Sequence, residues 1–151
     1  MTGTRNLDLE SVAGQDFINP DVFNRNSNKI DKLGKKYVVD SGKSGEWEWE
    51  KWSDGTAVCR IRRKTFPSQA FGGWGELWAT SAMRFSAYPF NFAEVPSVKI
   101  EFEGCDSSGN WPFVSKTSES TTSQSPAFCL YSAMQETVTN PKFSIEARGR
   151  I

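Results

Sequence analysis

Apolar and polar residues alternate with a period of two through much of this chain, which is the pattern of half-buried β-strands. The clearest case is the run EWEWEKWSDGTAVC at residues 46–59. Trp47 and Trp49 fall on one face of an extended backbone there, and the intervening glutamates fall on the other. The Asp54-Gly55 pair then separates two alternating runs, and such a pair favours a tight hairpin because glycine adopts positive φ without steric cost. The pattern predicts a β-hairpin with an aromatic inner face and a charged outer face.

The other alternating runs predict further strands, and residues 64–75, which are rich in Gly and aromatic residues, predict a loop. We expect Pro112 to restrict its strand to a sheet edge, because proline cannot donate to the ladder. The expected strands lie at residues 35–40, 76–87, 98–102, 111–114, 128–131 and 143–147. Seven or eight strands at this spacing predict a mainly β fold, an antiparallel β-sandwich of jelly-roll-like type.

One segment has a helical pattern instead. Asn19 followed by Pro20 is a favourable helix start, and Gly34 is a favourable stop, which predicts a short α-helix over residues 19–34. Its stripe follows spacings of three, four and three residues, at Phe23, Asn26, Ile30 and Leu33. About fourteen residues make a helix of ~21 Å that is marginal alone in water, so the stripe must pack on a partner.

Two partners for this helix remain open. The helix lies either on the sheet of its own domain or against sister helices in a parallel trimeric coiled coil. A polar residue such as Asn26 at a seam position can set the number of strands, which favours the trimer. Phe23, Asn26, Ile30 and Leu33 are therefore the candidate oligomerisation residues.

Composition excludes several classes of function. Eighteen basic and eighteen acidic residues balance, so no basic surplus points to a nucleic-acid partner. The absence of histidine removes Ser-His-Asp and Cys-His catalysis and His-ligated metals. Cys59, Cys105 and Cys129 match no zinc spacing, and we expect them to be buried or half-buried free thiols. No apolar run approaches the ~20 residues that span a bilayer, so we expect no membrane insertion, and we expect no metal and no cofactor.

The hairpin also carries a resemblance to a known family. Its residues Ser44, Gly45, Trp47, Lys51, Trp52, Ser53, Asp54, Gly55, Ala57 and Cys59 resemble a motif of C-terminal domains in tail-fibre and minor structural proteins. Those proteins come from phages and prophages of Gram-positive bacteria. Further segments are similar to the same family: residues 17–24 with 30–33 upstream, Tyr88-Pro89-Phe90 with residues 95–98, and residues 147–150. The chain ends in Ile151, where the family pattern has an aromatic residue.

The resemblance implies a division of the chain and a location. Residues 1–18 would be an arm that attaches to other virion proteins, residues 19–34 the stem of a homotrimer, and residues 35–151 a β-sandwich head. The chain would be a virion protein, a tail-fibre or tip module that is assembled in the host cytoplasm and acts outside the host cell. Its function would be attachment to a host-surface glycan by non-catalytic binding.

Aromatic rings and short polar side chains on loops suit such a ligand, because rings stack on the apolar faces of pyranoses and polar groups bind their oxygens. The candidate ligand-binding residues are Phe71, Trp74, Asp106, Asn110 and Trp111.

Two other functions remain open at this point. The chain could be a purely structural collar, neck or capsid-fibre component, with every aromatic residue in the core or at an interface. A polysaccharide-degrading enzyme is the third interpretation. Glu46, Glu48 and Glu50 lie too near one another on one strand face to flank a glycosidic bond, whereas Asp54, Asp106 or Glu136 could pair with a glutamate across a cleft. We expect no catalytic residue.

Overall fold

The computed structural model describes residues 36–107 and 112–151, and this part of the chain is mainly β. The predicted helix at residues 19–34 and the arm at residues 1–18 lie outside the described residues. The strands are β1 (Val38–Ser44), β2 (Trp47–Trp52), β3 (Thr56–Thr65), β4 (Gln69–Ala70), β5 (Gly72–Trp74), β6 (Leu77–Ala79), β7 (Ser97–Gly104), β8 (Phe113–Lys116), β9 (Phe128–Ser132), β10 (Thr137–Val138) and β11 (Lys142–Arg150).

These strands form three sheets. The largest has five strands in the order β1-β2-β3-β11-β7, and the second has four in the order β5-β6-β9-β8. A two-stranded sheet pairs β10 with β4. The strand pairs are antiparallel, including the pairs that β11 forms with β3 and with β7.

The predicted hairpin is confirmed. Trp49 is the register partner of Cys59 across β2 and β3, and the Gly55 amide donates to the Trp52 carbonyl at 3.0 Å. Gly55 has φ of 82°, a left-handed conformation that glycine adopts without a Cβ clash. Trp47 is buried on the inner face, where its indole Nε1 donates to Ser86 Oγ at 3.1 Å. The alternating pattern therefore predicted correctly which face of the hairpin is buried.

A cluster of phenylalanine rings joins the two larger sheets. Phe128 of β9 and Phe143 of β11 have ring centroids 4.8 Å apart, and Phe66 lies 5.6 Å from Phe128 and 5.5 Å from Phe143. Phe85 stacks on Phe128 at 5.4 Å. Phe128 and Phe143 are both fully buried, so one aromatic core is shared by the four-stranded and five-stranded sheets.

The predictions for residues 64–87 are wrong in part. The expected loop at residues 64–75 contains β4 and β5, and the expected long strand at residues 76–87 is regular only over Leu77–Ala79. Beyond β6 the backbone bonds irregularly to residues 122–130, through Met83 and Phe128 and through the Tyr88 amide to the Ser123 carbonyl. Thr80, Met83 and Phe85 are all buried, at spacings of three and two residues, which a strand with a strict period of two cannot achieve on one face.

The first strand is also longer than predicted. β1 continues through Ser41-Gly42-Lys43-Ser44, which the sequence assigns to a turn, and the chain reverses at Gly45 and Glu46. Gly45 has φ of 59°, as a two-residue turn with glycine at its first central position requires. The sequence predicted the strands at residues 98–102, 128–131 and 143–147 correctly, and of the expected strand at residues 111–114 the structure has β8 from Phe113 onward. It did not predict the short strand β10. β8 lies at a sheet edge, as Pro112 implies. The three cysteines are free thiols, with Cys59 and Cys129 buried and Cys105 half-buried.

Candidate functional site

The outer face of the four-stranded sheet carries a row of aromatic side chains. Register pairs Gly72 with Ala79, Ala79 with Tyr131, and Tyr131 with Phe113, so these four residues cross the sheet on one face. Trp74 is two residues beyond Gly72 on β5 and therefore lies on the same face. We call these five residues the aromatic face.

Alternation along the strands puts the aromatic face away from the core. Leu130 and Phe128 flank the outward positions of β9 and are fully buried, while Trp78 and Val114 pack against the core from β6 and β8. In contrast, Trp74 is 62% exposed and Phe113 is 53% exposed. The largest apolar patch on a soluble domain is often functional, so these exposed rings on one surface are a candidate interaction site.

A tight turn brings Trp74 into place. The β5–β6 hairpin reverses at Gly75 and Glu76, with Trp74 opposite Leu77 and Gly75 at φ of 62°. A Cβ at Gly75 would be strained by that φ. The two-residue turn fixes the register of the hairpin, and the register decides which face Trp74 occupies.

The three rings of the aromatic face touch in a chain through Tyr131. The Trp74 and Tyr131 centroids are 5.5 Å apart with planes at 62°, and the Tyr131 and Phe113 centroids are 5.6 Å apart with planes at 22°. Edge-to-face and offset parallel arrangements are the favoured geometries of aromatic pairs. The rings therefore support one another in fixed orientations, so a ligand that stacks on them meets a partly preorganised surface.

The aromatic face is uncharged, whereas one face of the five-stranded sheet carries many charges. The strand residues that share the face with the rings are Gly72, Trp74, Leu77, Ala79, Phe113, Ser115, Cys129 and Tyr131, and none of these described residues is an aspartate, glutamate, lysine or arginine. On the five-stranded sheet, register instead aligns Glu48, Arg60, Glu146 and Lys99 in a row of alternating charge. Arg60 lies 3.6 Å from Glu50 and 4.0 Å from Glu146, so these charges largely pair among themselves.

The residues predicted from sequence do not share one environment. Trp74 belongs to the aromatic face, whereas Phe71 is only 3% exposed and its ring is part of the core. Asp106 lies at the end of β7, where its carboxylate accepts from Lys142 Nζ at 2.6 Å and from Asn140 Nδ2 at 3.0 Å. Asn110 and Trp111, like the stem residues Phe23, Asn26, Ile30 and Leu33, lie outside the described residues.

The Asp106 carboxylate is held by its own neighbours. The hydrogen bond from Lys142, followed by that from Asn140, lowers the pKa of Asp106 below its ordinary value. The Asp106 amide donates to the Thr139 carbonyl at 2.8 Å, and the Thr139 amide donates to Ser107 Oγ at 3.2 Å. This network ties the end of β7 to the start of β11, so we assign Asp106 to loop anchoring and leave it out of the candidate site.

Of the two other carboxylates considered for catalysis, one has a local role. Asp54 Oδ1 accepts the Thr56 amide at 3.0 Å and so closes the β2–β3 turn. Glu136 is half-buried, and its backbone carbonyl accepts the Phe71 amide at 2.9 Å, whereas its side-chain Oε1 is buried without a hydrogen-bond partner among the described residues. Within residues 36–107 and 112–151, no three His, Cys, Asp or Glu side chains cluster closely enough to hold a metal ion. The same described ranges contain no helix long and apolar enough to cross a bilayer.

Comparisons with protein-family models, with curated proteins and with solved structures found no match for this chain.

Sequence reasoning identified one ring of the site and missed two. Phe113 and Tyr131 were assigned to strands but not to a surface. Phe128 and Leu130 occupy alternate positions of β9 and are buried, and Tyr131 occupies a position of the other set. This alternation was the available signal that the Tyr131 ring faces outward. That Trp74, Tyr131 and Phe113 become neighbours depends on the order β5-β6-β9-β8, which joins segments more than thirty residues apart in sequence.

Proposed function

We propose that this chain is a tail-fibre or tip module of a phage virion that attaches the particle to a host-surface glycan without catalysis. The observation that carries the proposal is the exposed row of rings at Trp74, Tyr131 and Phe113 on one sheet face. Aromatic rings bind pyranoses through the apolar faces of the sugars, and the tyrosine hydroxyl can bond to sugar oxygens. The phage setting rests on the resemblance of the hairpin and of its flanking segments.

We infer that the head is an antiparallel β-sandwich of jelly-roll-like type. The phenylalanine core between the five-stranded and four-stranded sheets supports this arrangement, because two sheets that share inward side chains are the basis of a sandwich. The aromatic face then lies on the outside of one sheet, where a large ligand has access.

The trimer and its stem complete the proposal. Three heads on a parallel coiled coil through Phe23, Asn26, Ile30 and Leu33 would present three aromatic faces to one cell surface. Weak single sites gain strongly by avidity when they are linked in this way. The arm at residues 1–18 would join the stem to other virion proteins, and the chain would be located in the virion.

Adsorption to cell walls tests the attachment function. The labelled full chain is incubated with purified walls from a panel of Gram-positive strains, and retention is measured with and without glycan released from the same walls. We expect retention by the walls of the host strain and its loss on addition of the released glycan. Absence of retention throughout the panel would favour the purely structural collar, neck or capsid-fibre interpretation. Release of reducing sugar from retained walls would instead indicate an enzyme.

Light scattering on the full chain tests the stem independently. The proposal expects a mass of three chains, and Ile30→Asp should reduce it to one because a charge at a seam position opposes association. Val95→Ala, a change at an exposed apolar residue of the head, is the matched control and should leave three chains. A single-chain mass for the unmodified protein would contradict the stem.

A further inference from the structure

Gly72, at one end of the aromatic face, is a glycine that the fold does not require. Its φ lies outside the left-handed region, and a Cβ built on it would meet only the Ala79 carbonyl oxygen, at 4.0 Å. Other glycines of the chain are required, since Gly45, Gly55 and Gly75 have positive φ in turns. Gly72 is the first residue of β5, and strand positions generally favour residues with side chains over glycine, so the lack of a side chain there calls for another reason.

The surroundings of Gly72 supply that reason. Gly72 and its register partner Ala79 are the two smallest members of the aromatic face, and they lie beside Tyr131 in the same row. Trp74 adjoins Gly72 along β5 and reaches Tyr131 with its ring. The surface is therefore recessed at Gly72 and Ala79 and bordered by the rings of Trp74 and Tyr131. This recess leaves space for the flat ring of a ligand to lie against the two aromatic rings.

The chemistry of the face selects an uncharged ligand. The described strand residues of this face contribute aromatic and aliphatic surface, the hydroxyls of Tyr131 and Ser115, and no cation. A phosphate-bearing polymer such as a teichoic acid would lose hydration on this surface without gaining an ion pair, which is unfavourable. A neutral sugar loses much less, because its apolar face stacks and its hydroxyls remain at the solvent-exposed edge.

The size of the face argues against a second copy of the chain as its occupant. Aromatic side chains bury about 150–250 Å² each, so three partly exposed rings offer roughly 300–400 Å². Stable interfaces bury about 800 Å² on each partner. The face is therefore small for a protein interface, but it is large enough for a short run of sugars.

We propose that the aromatic face binds consecutive units of an uncharged polysaccharide of the host surface, with Gly72 and Ala79 as the floor and Trp74, Tyr131 and Phe113 as the stacking rings. This inference rests on the proposed attachment function and adds the class of glycan and the place where it binds. Because the rings form a chain across the sheet, the ligand is an internal stretch of polymer and extends beyond a single terminal sugar.

The first experiment separates neutral from charged ligands. Wall polysaccharide from a strain whose walls retain the full chain is divided by anion exchange into a neutral and a phosphate-containing fraction, and each is titrated calorimetrically. We expect the neutral fraction to bind, with an affinity that changes less than about twofold between low and high salt. Binding by the phosphate-containing fraction alone, weakened by salt, would overturn the inference but leave attachment intact. Failure of every wall in the panel to retain the full chain, found before any fractionation, would instead contradict the proposed function.

The second experiment tests the location with matched variants. Gly72→Val fills the floor with a residue that strands accommodate well, and we expect it to weaken binding of the neutral fraction by at least about tenfold. Gly73→Ala is the control on the other face of β5, where a Cβ would make an ordinary contact at 3.8 Å from Trp78 Cζ3. Trp74→Ala and Phe113→Ala should each weaken binding by about tenfold or more, because each substitution removes a ring on which a sugar stacks.

Three results would overturn the location. One is neutral-fraction binding of unchanged affinity in Gly72→Val and in Trp74→Ala. A second is an equal loss in Gly73→Ala, which would indicate a general effect on the hairpin. The third is a lower chain count by light scattering in Trp74→Ala, which would assign the face to contacts between copies. Thermal unfolding of every variant shows whether the fold is retained.

Discussion

Gly149 of β11 lies so close to Phe92 that no other residue fits without movement. A Cβ at Gly149 would be 2.9 Å from Phe92 Cδ1 and 3.3 Å from the backbone Cα of Pro96. The Ala93 amide donates to the Arg150 carbonyl at 2.7 Å, which ties the same loop to the end of β11. The segment after Tyr88 therefore covers the last strand of the chain at a point where only glycine leaves room.

Gly149→Ala tests this contact. We expect the free energy of unfolding to fall by about 1–3 kcal/mol, the usual effect of adding a methyl group to a filled space. Urea denaturation of the two proteins measures the difference. Gly73→Ala is the matched control and should lie within about 0.5 kcal/mol of the unmodified protein, because its Cβ would make only an ordinary contact, at 3.8 Å from Trp78 Cζ3. Equal effects of the two substitutions would show that Phe92 does not restrict residue 149.

Phe128 is the residue through which the two larger sheets are most strongly coupled. Its ring is fully buried and lies within 5.6 Å of the rings of Phe66, Phe85 and Phe143. We expect Phe128→Leu to be folded with reduced stability. For Phe128→Ala we expect the free energy of unfolding to fall by about 3–5 kcal/mol, because removal of the whole ring leaves a cavity. Phe113→Ala, at an exposed ring, should lose much less. Chemical denaturation measures all three, and similar losses for Phe128→Ala and Phe113→Ala would contradict the shared core.

Burial of Cys59 makes the free energy of unfolding depend on pH in the alkaline range. Desolvation raises the pKa of this thiol from 9.0 to about 12, so between these values the folded protein holds a proton that the unfolded chain releases. Stability is therefore highest below pH 9 and falls as the pH rises towards 12.

Cys59→Ala removes this dependence in part. We expect its urea midpoint to fall less steeply than that of the unmodified protein between pH 9 and 10. Burial also raises the pKa of Tyr88, from 10.0 to about 12, and desolvation raises that of Cys129, so both proteins retain some loss at higher pH. Iodoacetamide labelling at pH 8 provides a second measurement, in which Cys59 should be protected until the chain unfolds. Parallel pH profiles for the two proteins would contradict the prediction.

The pair Asp106 and Lys142 gives the corresponding prediction at acidic pH. The lysine donor lowers the pKa of Asp106, so the pair contributes stability above the ordinary pKa of the carboxyl and loses it as the pH falls through the lowered value. Lys142→Met should raise the Asp106 pKa towards its ordinary value in a carboxyl-carbon NMR titration. Lys99→Met, which breaks the separate pair with Glu101, is the control and should leave Asp106 unchanged. An unchanged Asp106 pKa in Lys142→Met would show that the pair does not form in solution.

Local signals in the sequence identified most of the strands of the described part correctly. The Asp54-Gly55 turn and the alternation around Trp47 fix a hairpin because positive φ and a two-residue period are properties of neighbouring residues. The same reasoning failed between residues 76 and 87. Met83, Phe85 and Tyr88 are all apolar, and composition alone does not distinguish a regular strand from an irregular segment that buries unequally spaced residues against residues 122–130.

The candidate site was harder to predict from the sequence than the fold. Exposure separates Trp74 from Phe71, although both are aromatic residues in the same short segment. β5 directs the Trp74 side chain outward. Phe71 lies immediately before β5; its ring is in the core and its backbone amide donates to the Glu136 carbonyl. Assigning a residue to one face of a strand by its odd or even position requires the strand boundaries. Residues 64–75 have the composition of a loop, so the sequence does not indicate where β5 begins and ends.

The sequence by itself determined the mainly β character, the hairpin that turns at Asp54-Gly55, the burial of Trp47 and the free state of the three cysteines. Each of these follows from residue type and from spacing over a few positions. Only the tertiary structure decided that Trp74, Tyr131 and Phe113 form one uncharged surface with Gly72 at its floor, and that Gly149 must remain a glycine beneath Phe92. The physical reason is that strand order and loop placement bring distant segments together, and the short-range periodicity of a chain carries no record of those contacts.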